Sequence, residues 1–388
     1  MIKKISLPVQ LSFVLIGVAL FGNLIDPTVI NVLYSISLVF KECLGFLLPF
    51  MVFSFIATGI LSFKKNAPLV LGILLASIIC SNSIVAFFAY FVGKTLLPLL
   101  AVTIDPTALT ESKNLVPLFT IKLPSLIKSD MAMLSAVLTG FFLSFVSIPR
   151  AEKTIFFLKH SIELIVNKLF IPILPIYILG FLLEINHQGV FIQLFQTYGK
   201  TFTLIIILQM IVLFLIYFIA AGFSIRRAIY YIKNAMPSYL TAFGTMSSTA
   251  TIPVTVQCAE KNTGNTALSA MATPILANIH LLGDAISTPI LALVTLFIFQ
   301  GTSPDPLIYS AFVGYFCINM LAVAGIPGGG IIVMIPILKT ILGFDDMMIS
   351  IITTLYFLQD GLGTAGNVMG DGALMIIVNK ILKRLKIS

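Results

Sequence analysis

The chain has 388 residues; 10% are charged and 59% are hydrophobic. An average soluble protein carries about 25% charged residues, so this chain has too few charges to coat the apolar surface it would otherwise show to water. It reads as an integral membrane protein, which excludes a soluble enzyme, a nucleic-acid reader and a disordered scaffold. The net charge of +8 does not restore nucleic acid as a partner, because most basic residues sit at the ends of apolar runs and act as topology signals.

A helix needs about 20 apolar residues to cross a bilayer. Such runs fall at 8–26, 32–62, 67–100, 130–148, 155–183 and 199–225. The start, Met1-Ile-Lys3-Lys4, imitates a signal peptide, but no small-x-small cleavage site follows, so the first run is expected to be a transmembrane helix. The second, third and fifth runs are longer than needed, and Lys41-Glu42, Lys94 and Lys168 inside them predict shorter lipid-crossing parts. Lys3-Lys4, Lys64-Lys65, Arg150 with Lys153, and Arg226-Arg227 with Lys233 fall at every second connection. The loop 101–128, with Lys113, Lys122 and Lys128, is a mild exception. The positive-inside rule then puts the N-terminus and Arg226-Arg227 in the cytoplasm; the expected location is the plasma (inner) membrane, with both termini cytoplasmic.

After residue 225 the pattern changes. Residues 228–262 are only moderately apolar and carry Pro237, Gly244 and the polar run Thr245-Met-Ser-Ser-Thr249. A strong span, 264–300, follows; 307–342 is broken by Gly325-Ile-Pro-Gly-Gly-Gly330, and 347–380 ends in Lys380, Lys383, Arg384 and Lys386. Counting all four as crossings leaves Lys261 outside and Asp305 inside. Treating the two broken segments as re-entrant hairpins reverses both, although hydropathy alone also allows two kinked ordinary helices. Irregular backbone at membrane depth cannot face lipid, because its polar groups need partners. Two such segments entering from opposite sides are the sequence hint of an inverted repeat with a midplane site. The expected fold is all-α, with about eight transmembrane helices and two re-entrant helical hairpins.

The strongest chemical signal lies in the last span. Asp360, Thr364, Asn367 and Asp371 are spaced 4, 3 and 4 apart, so a helix places them on one narrow face. Carboxylates inside an apolar span are costly and usually serve a ligand or an ion path. Gly361, Gly363, Gly366, Gly370 and Gly372 thin the same helix, so a backbone or a substrate can approach. A packing seam with carboxylates satisfied by neighbours is the plainer alternative. A second polar stretch, Asn278-Ile-His280-Leu-Leu-Gly-Asp284-Ala-Ile-Ser-Thr288, interrupts the span 264–300, and Ser81-Asn82-Ser83 interrupts the third. Cys43, Cys80, Cys258 and Cys317 have no close spacing and are expected to be small buried hydrophobes. His160, His187 and His280 form no metal motif.

The C-terminal part resembles the dicarboxylate/amino acid:cation symporter family, the glutamate transporter homologues. Four motifs carry the resemblance over about 150 residues. They are the serine-rich hairpin tip followed by Thr251-Ile-Pro253-Val-Thr-Val-Gln-Cys258-Ala-Glu260, the broken helix around Asn278–Asp284, the second hairpin's Ala324-Gly-Ile-Pro-Gly-Gly-Gly330, and Asp360…Thr364…Asn367-Val-Met-Gly-Asp371. The N-terminal half agrees in span count and in Ile171-Pro-Ile-Leu-Pro175.

The resemblance implies a homotrimeric elevator-type transporter in the lipid bilayer. Residues 1–225 would form mostly a scaffold and trimerisation unit, and 226–388 the transport core. Asp360 would hold a substrate amino group, and Thr364 and Asn367 would contact the substrate beside Gly363. Ser247, Ser248 and Thr249 would take the α-carboxylate. Gly328, Gly329 and Gly330 would form the extracellular gate, and Asn367 and Asp371 would frame a sodium site.

This sequence also departs from the family pattern. Gly363 stands where members that take acidic substrates have Arg, so a side-chain carboxylate lacks its bidentate partner. The family's Asn-Met-Asp-Gly-Thr reads His280-Leu281-Leu282-Gly283-Asp284, which removes the carboxylate of one sodium site. Met320-Leu-Ala-Val323 replaces hydroxyl residues near another. If the segment stays helical, His280 and Asp284 share a face and are candidates for proton coupling. The expected function is symport of amino acids, neutral rather than acidic, coupled to sodium, protons or both, with no prosthetic cofactor. The same family also offers symport of dicarboxylates or small organic acids. A channel or transport-dead sensor on this fold is a further alternative, as is an intramembrane aspartyl protease using Asp284 and Asp371. The protease lacks a full Gly-x-Gly-Asp pattern at either residue.

Overall fold

The computed structural model describes residues 7–62, 68–100, 115–124, 127, 129–189, 191–320, 323, 325 and 327–386. Lys3, Lys4, Lys64, Lys65, Lys113 and Lys128, used above for orientation, lie outside these, as do Leu321, Ala322, Ala324 and Ile326 of the second broken segment. All regular elements among the described residues are helical. Helix α1 (Leu7–Phe21) runs into a short 3-10 turn, Gly22–Leu24. It is followed by α2 (Pro27–Ser62), α3 (Pro68–Leu100), α4 (Ser129–Phe145) and α5 (Pro149–Ile165). A π-helical stretch, Val166–Phe170, joins α5 to α6 (Ile171–His187), and α7 spans Phe191–Ala220. The C-terminal half comprises α8 (Ile225–Thr245), α9 (Ser248–Thr263), α10 (Thr266–Ile279), α11 (Leu282–Gln300), α12 (Pro306–Met320), α13 (Gly329–Thr340) and α14 (Asp346–Arg384).

Proline sets several starts. It opens α2, α3, α5 and α12, where its missing N–H would have had no helical partner. This is why α2 and α5 begin ahead of the apolar runs at 32 and 155. Asn265 and Asp345 cap α10 and α14 by accepting from Leu268 N at 3.0 Å and Met348 N at 2.8 Å. Gly264 and Gly301 end α9 and α11 with φ of +63° and +66°, the left-handed geometry that a side chain would strain.

Among the described residues, six helical segments are long and apolar enough to cross a membrane: Pro27–Thr58, Gly72–Leu97, Pro149–His187, Leu194–Ala220, Thr266–Gln300 and Asp346–Arg384. With the shorter apolar helices α1 and α4 they make up the eight expected crossings. The two broken segments fold as the hairpins α8–α9 and α12–α13. Helix α2 packs among α4, α5 and α6, and α1 lies on α6. Helix α3 packs on α11, and α14 is flanked by α7, α8, α9 and α11. Helices α3 and α7 therefore pack with the C-terminal helices, although both precede the expected boundary at 225. The protein buries 94% of the apolar window of α10–α11 and 89% of that of α14, against 33% for α3 and for α7. Lipid exerts no hydrophobic pressure on a helix, so wrapping the polar helices in other helices is the arrangement that satisfies their side chains.

The cysteines correct one expectation. Cys258 is buried and Cys43 and Cys317 are partly so, but Cys80 is exposed on α3, and all four are free thiols. An apolar run cannot distinguish a lipid-facing position from a protein-facing one, because both environments accept a small hydrophobe.

Candidate functional site

The site begins with a break. Helix α10 stops at Ile279, His280 is extended (φ −101°, ψ 92°), and α11 starts at Leu282. A break in mid-membrane releases backbone donors and acceptors that must be satisfied. Asn367 Oδ1 of α14 accepts from Gly283 N (2.7 Å) and Asp284 N (3.2 Å), and Asn82 Nδ2 of α3 donates to Ile279 O (3.0 Å). Glycine makes this approach possible: a Cβ on Gly283 would overlap the Gly363 carbonyl, so the α11 and α14 backbones touch.

Asp360, Thr364, Asn367 and Asp371 all lie buried on α14, as their spacing predicts. The structure divides them among three neighbourhoods. Asp360 Oδ2 accepts from Gly328 N (2.7 Å) at the α12–α13 tip, and Thr364 Oγ1 donates to Asp360 Oδ1 (3.2 Å). Asn367 serves the α11 start and donates Nδ2 to Asp284 Oδ2 (3.1 Å). Asp371 Oδ1 lies 2.9 Å from His280 Nδ1, and Ser81 Oγ of α3 lies 3.0 Å from His280 Nε2.

His280 therefore pairs with Asp371, not with Asp284. The expectation of a shared His280–Asp284 face assumed an unbroken helix, and the break at 280–281 turns the imidazole toward α3 and α14. Asp284 instead accepts from Tyr356 Oη at 2.6 Å and from Asn367. Asp284 and Asp371 thus stand with different partners, and no hydrogen bond joins them as a proton-sharing protease dyad requires.

The hairpin tips meet beside Asp360. Ser247 caps α9 by accepting from Ala250 N (3.2 Å), and its hydroxyl donates to Gly325 O. Thr249 N donates to the same carbonyl at 3.3 Å, and Gly325 N donates to Asn278 Oδ1 at 3.3 Å. Ser248 is buried at the start of α9, whereas Thr249 is exposed. Gly328, Gly329 and Gly330 carry the α12–α13 tip into α13, where a Cβ on Gly328 would overlap the Phe357 ring. The structure thus brings Ser247, Gly328, Asp360, Thr364, Asn367 and Asp284 into one region, and sets His280 and Asp371 one turn further along α14.

Sequence reasoning left out Tyr356, Gln359 and Gln209. Tyr356 precedes Asp360 by one helical turn, so the stripe's own spacing could have found it. Gln209 Nε2 of α7 reaches Gly283 O at 3.4 Å, a contact that only the tertiary packing reveals.

Two hairpins whose tips meet over a broken helix and a carboxylate-bearing helix define the architecture of a multi-pass, all-α membrane protein. The family model of the sodium:dicarboxylate symporter family matches residues 7–381, and the chain belongs to that family. It is 32% identical over 203 residues to excitatory amino acid transporter 1 of Rattus norvegicus, a match covering 50% of this chain and 35% of the relative. It is 27% identical over 202 residues to an excitatory amino acid transporter of Caenorhabditis elegans, covering 50% of this chain and 38% of the relative. It is 31% identical over 181 residues to neutral amino acid transporter A of Bos taurus, covering 45% of this chain and 33% of the relative. The chain thus matches only about a third of each relative's length.

Proposed function

We propose that this protein is a cation-coupled symporter of amino acids whose substrate carries no side-chain carboxylate. One observation carries the reading. Asp360 is 3% exposed, has only neutral hydrogen-bond donors as partners, and faces the meeting point of the two hairpin tips. Its natural partner is a substrate ammonium, which would take the place of Gly328 N–H. Ser247, Ser248 and Thr249 stand at the start of α9, where backbone N–H groups favour the substrate's α-carboxylate. Gly363 supplies no cation for a second carboxylate, which argues against dicarboxylates and acidic amino acids. The names of the relatives, both excitatory and neutral amino acid transporters, agree with an amino acid substrate.

The coupling ion is cargo moving down its gradient. Asp371 Oδ2 has no hydrogen-bond partner and is the oxygen left for a sodium ion. Asn367 Oδ1 is already committed to two backbone N–H groups, and Leu282 offers no oxygen. His280 on the other Asp371 oxygen is the group suited to proton coupling. The homotrimer, the elevator movement, the inverted repeat and the cytoplasmic termini belong to the same proposal, supported by family membership and by the placement of Arg150, Arg226 and Arg227. The test is uptake into proteoliposomes under imposed sodium and pH gradients, with the membrane potential clamped. Amino acid uptake driven by either gradient and lost in Asp360→Asn is the expected result; undiminished uptake by Asp360→Asn would overturn the assignment.

A further inference from the structure

Two carboxyl groups, Asp284 and Asp360, are buried where α11 and the hairpin tips meet α14. Asp284 is 2% exposed and Asp360 3%. Each carboxylate accepts two hydrogen bonds, all from neutral donors: Tyr356 and Asn367 for Asp284, Gly328 N and Thr364 for Asp360. Among the described residues no Lys, Arg or His forms an ion pair with either. Buried carboxylates in a membrane interior are costly unless a cation joins them.

A separate observation points to where that cation goes. Gln359 is 3% exposed, and neither its Nε2 nor its Oε1 has a hydrogen-bond partner. A Cβ placed on Gly363 would lie 3.6 Å from both of those atoms and 3.3 Å from Asp284 Oδ1. The bare face of Gly363 is therefore bordered, at contact distance, by a carboxylate oxygen and an unused amide. A buried polar group left without a partner is destabilising, so this amide is poised for a ligand. Gly330 closes the far side; a Cβ there would lie 3.0 Å from Asp284 Oδ2.

We infer that Asp284, with Gln359 Oε1, forms a subsite for a cationic side chain, so that the preferred substrate is a basic amino acid ending in an ammonium or guanidinium group. The α-ammonium sits on Asp360 and the side-chain cation on Asp284, with Gly363 placing no side chain of its own beside that carboxylate. Such groups carry only donors, matching the acceptors that border Gly363. The inference rests on the proposed amino acid site at Asp360 and adds the chemistry of the side-chain end.

The experiment is competitive binding to the purified full-length protein in lipid nanodiscs, with lysine, ornithine, arginine, serine, alanine and aspartate, each in sodium chloride and in choline chloride. A hydrogen bond to a charged group corresponds to about a tenfold to hundredfold change in affinity. Lysine, ornithine or arginine is expected to bind tighter than serine and alanine by that factor, and Asp284→Asn to remove the preference. Serine or alanine binding as tightly as every basic amino acid in both salts overturns the subsite and leaves the Asp360 reading intact. Tight serine binding that appears only with sodium also overturns it, by giving Asp284 to the ion. If no amino acid binds, or Asp360→Asn binds like wild type, the underlying site assignment falls and the subsite with it. The ranking in wild type decides the matter even if Asp284→Asn does not fold.

Discussion

Helices α2 and α14 are nearly equal in length, at 36 and 39 residues, and both can cross a bilayer. The protein buries 39% of the apolar window of α2 but 89% of that of α14. The same residue type serves different ends in the two. A Cβ on Gly45 of α2 would meet nothing within 4 Å, whereas one on Gly370 of α14 would lie 2.9 Å from Leu282 Cβ and one on Gly372 2.8 Å from Tyr217 Oη. Helix α2 uses its length to span the lipid. Helix α14 uses its thinness to let other backbones reach its polar stripe, which is why its carboxylates can exist in a membrane at all.

Substitutions sharpen that contrast, read as unfolding midpoints in one detergent. The largest effect is expected from His280→Leu, which leaves the buried Asp371 carboxylate without its one hydrogen-bond partner. Losing a buried hydrogen bond to a carboxylate costs about 1.5–3 kcal/mol, and a loss under about 1 kcal/mol would show that the pair is not held as described. Gly283→Ala drives a methyl group into the Gly363 carbonyl and should cost about 1–3 kcal/mol by overpacking. Gly45→Ala on α2 is its control and should be neutral or stabilising by up to about 1 kcal/mol. Ser81→Ala removes the hydroxyl on His280 Nε2 and should cost about 1 kcal/mol. Ser77→Ala, one turn earlier on α3, loses only a bond to Ile73 O of its own helix and should change little. The smallest effect is expected from Lys339→Ala, which breaks an exposed 2.6 Å pair with Asp346 worth under about 1 kcal/mol and weakened by salt.

Much of this was legible in residue patterns. The 4, 3, 4 spacing of Asp360, Thr364, Asn367 and Asp371 identified the stripe, because helical periodicity is a local property. The two hairpins followed from Pro and Gly breaks combined with the sides on which Lys261 and Asp305 must lie. Partners across the fold were not legible. Ser81 and Asn82 read as a weak polar cluster because their partners, His280 and Ile279 O, lie about 200 positions away. The His280–Asp284 pairing failed because it required an unbroken helix, although the family resemblance implied a broken one around Asn278–Asp284. The boundary at 225 reflected a change in composition, while the packing of α3 and α7 follows the central helices they enclose.

The meeting of the hairpin tips makes their departures unequal. Among the described residues, withdrawing the α8–α9 tip loses two hydrogen bonds, both from residues 247 and 249 to Gly325 O. Withdrawing the α12–α13 tip loses the same two and also Gly325 N to Asn278 and Gly328 N to Asp360. At about 1 kcal/mol net for each bond, the second departure is disfavoured by roughly 2 kcal/mol more, about a thirtyfold difference in resting population. The two doors share one latch, and only the α12–α13 door carries an extra bolt on Asp360. On the proposed function, a ligand amine that took over that carboxylate would draw the bolt, so the contact that recognises the ligand would also set how often that tip stands ajar.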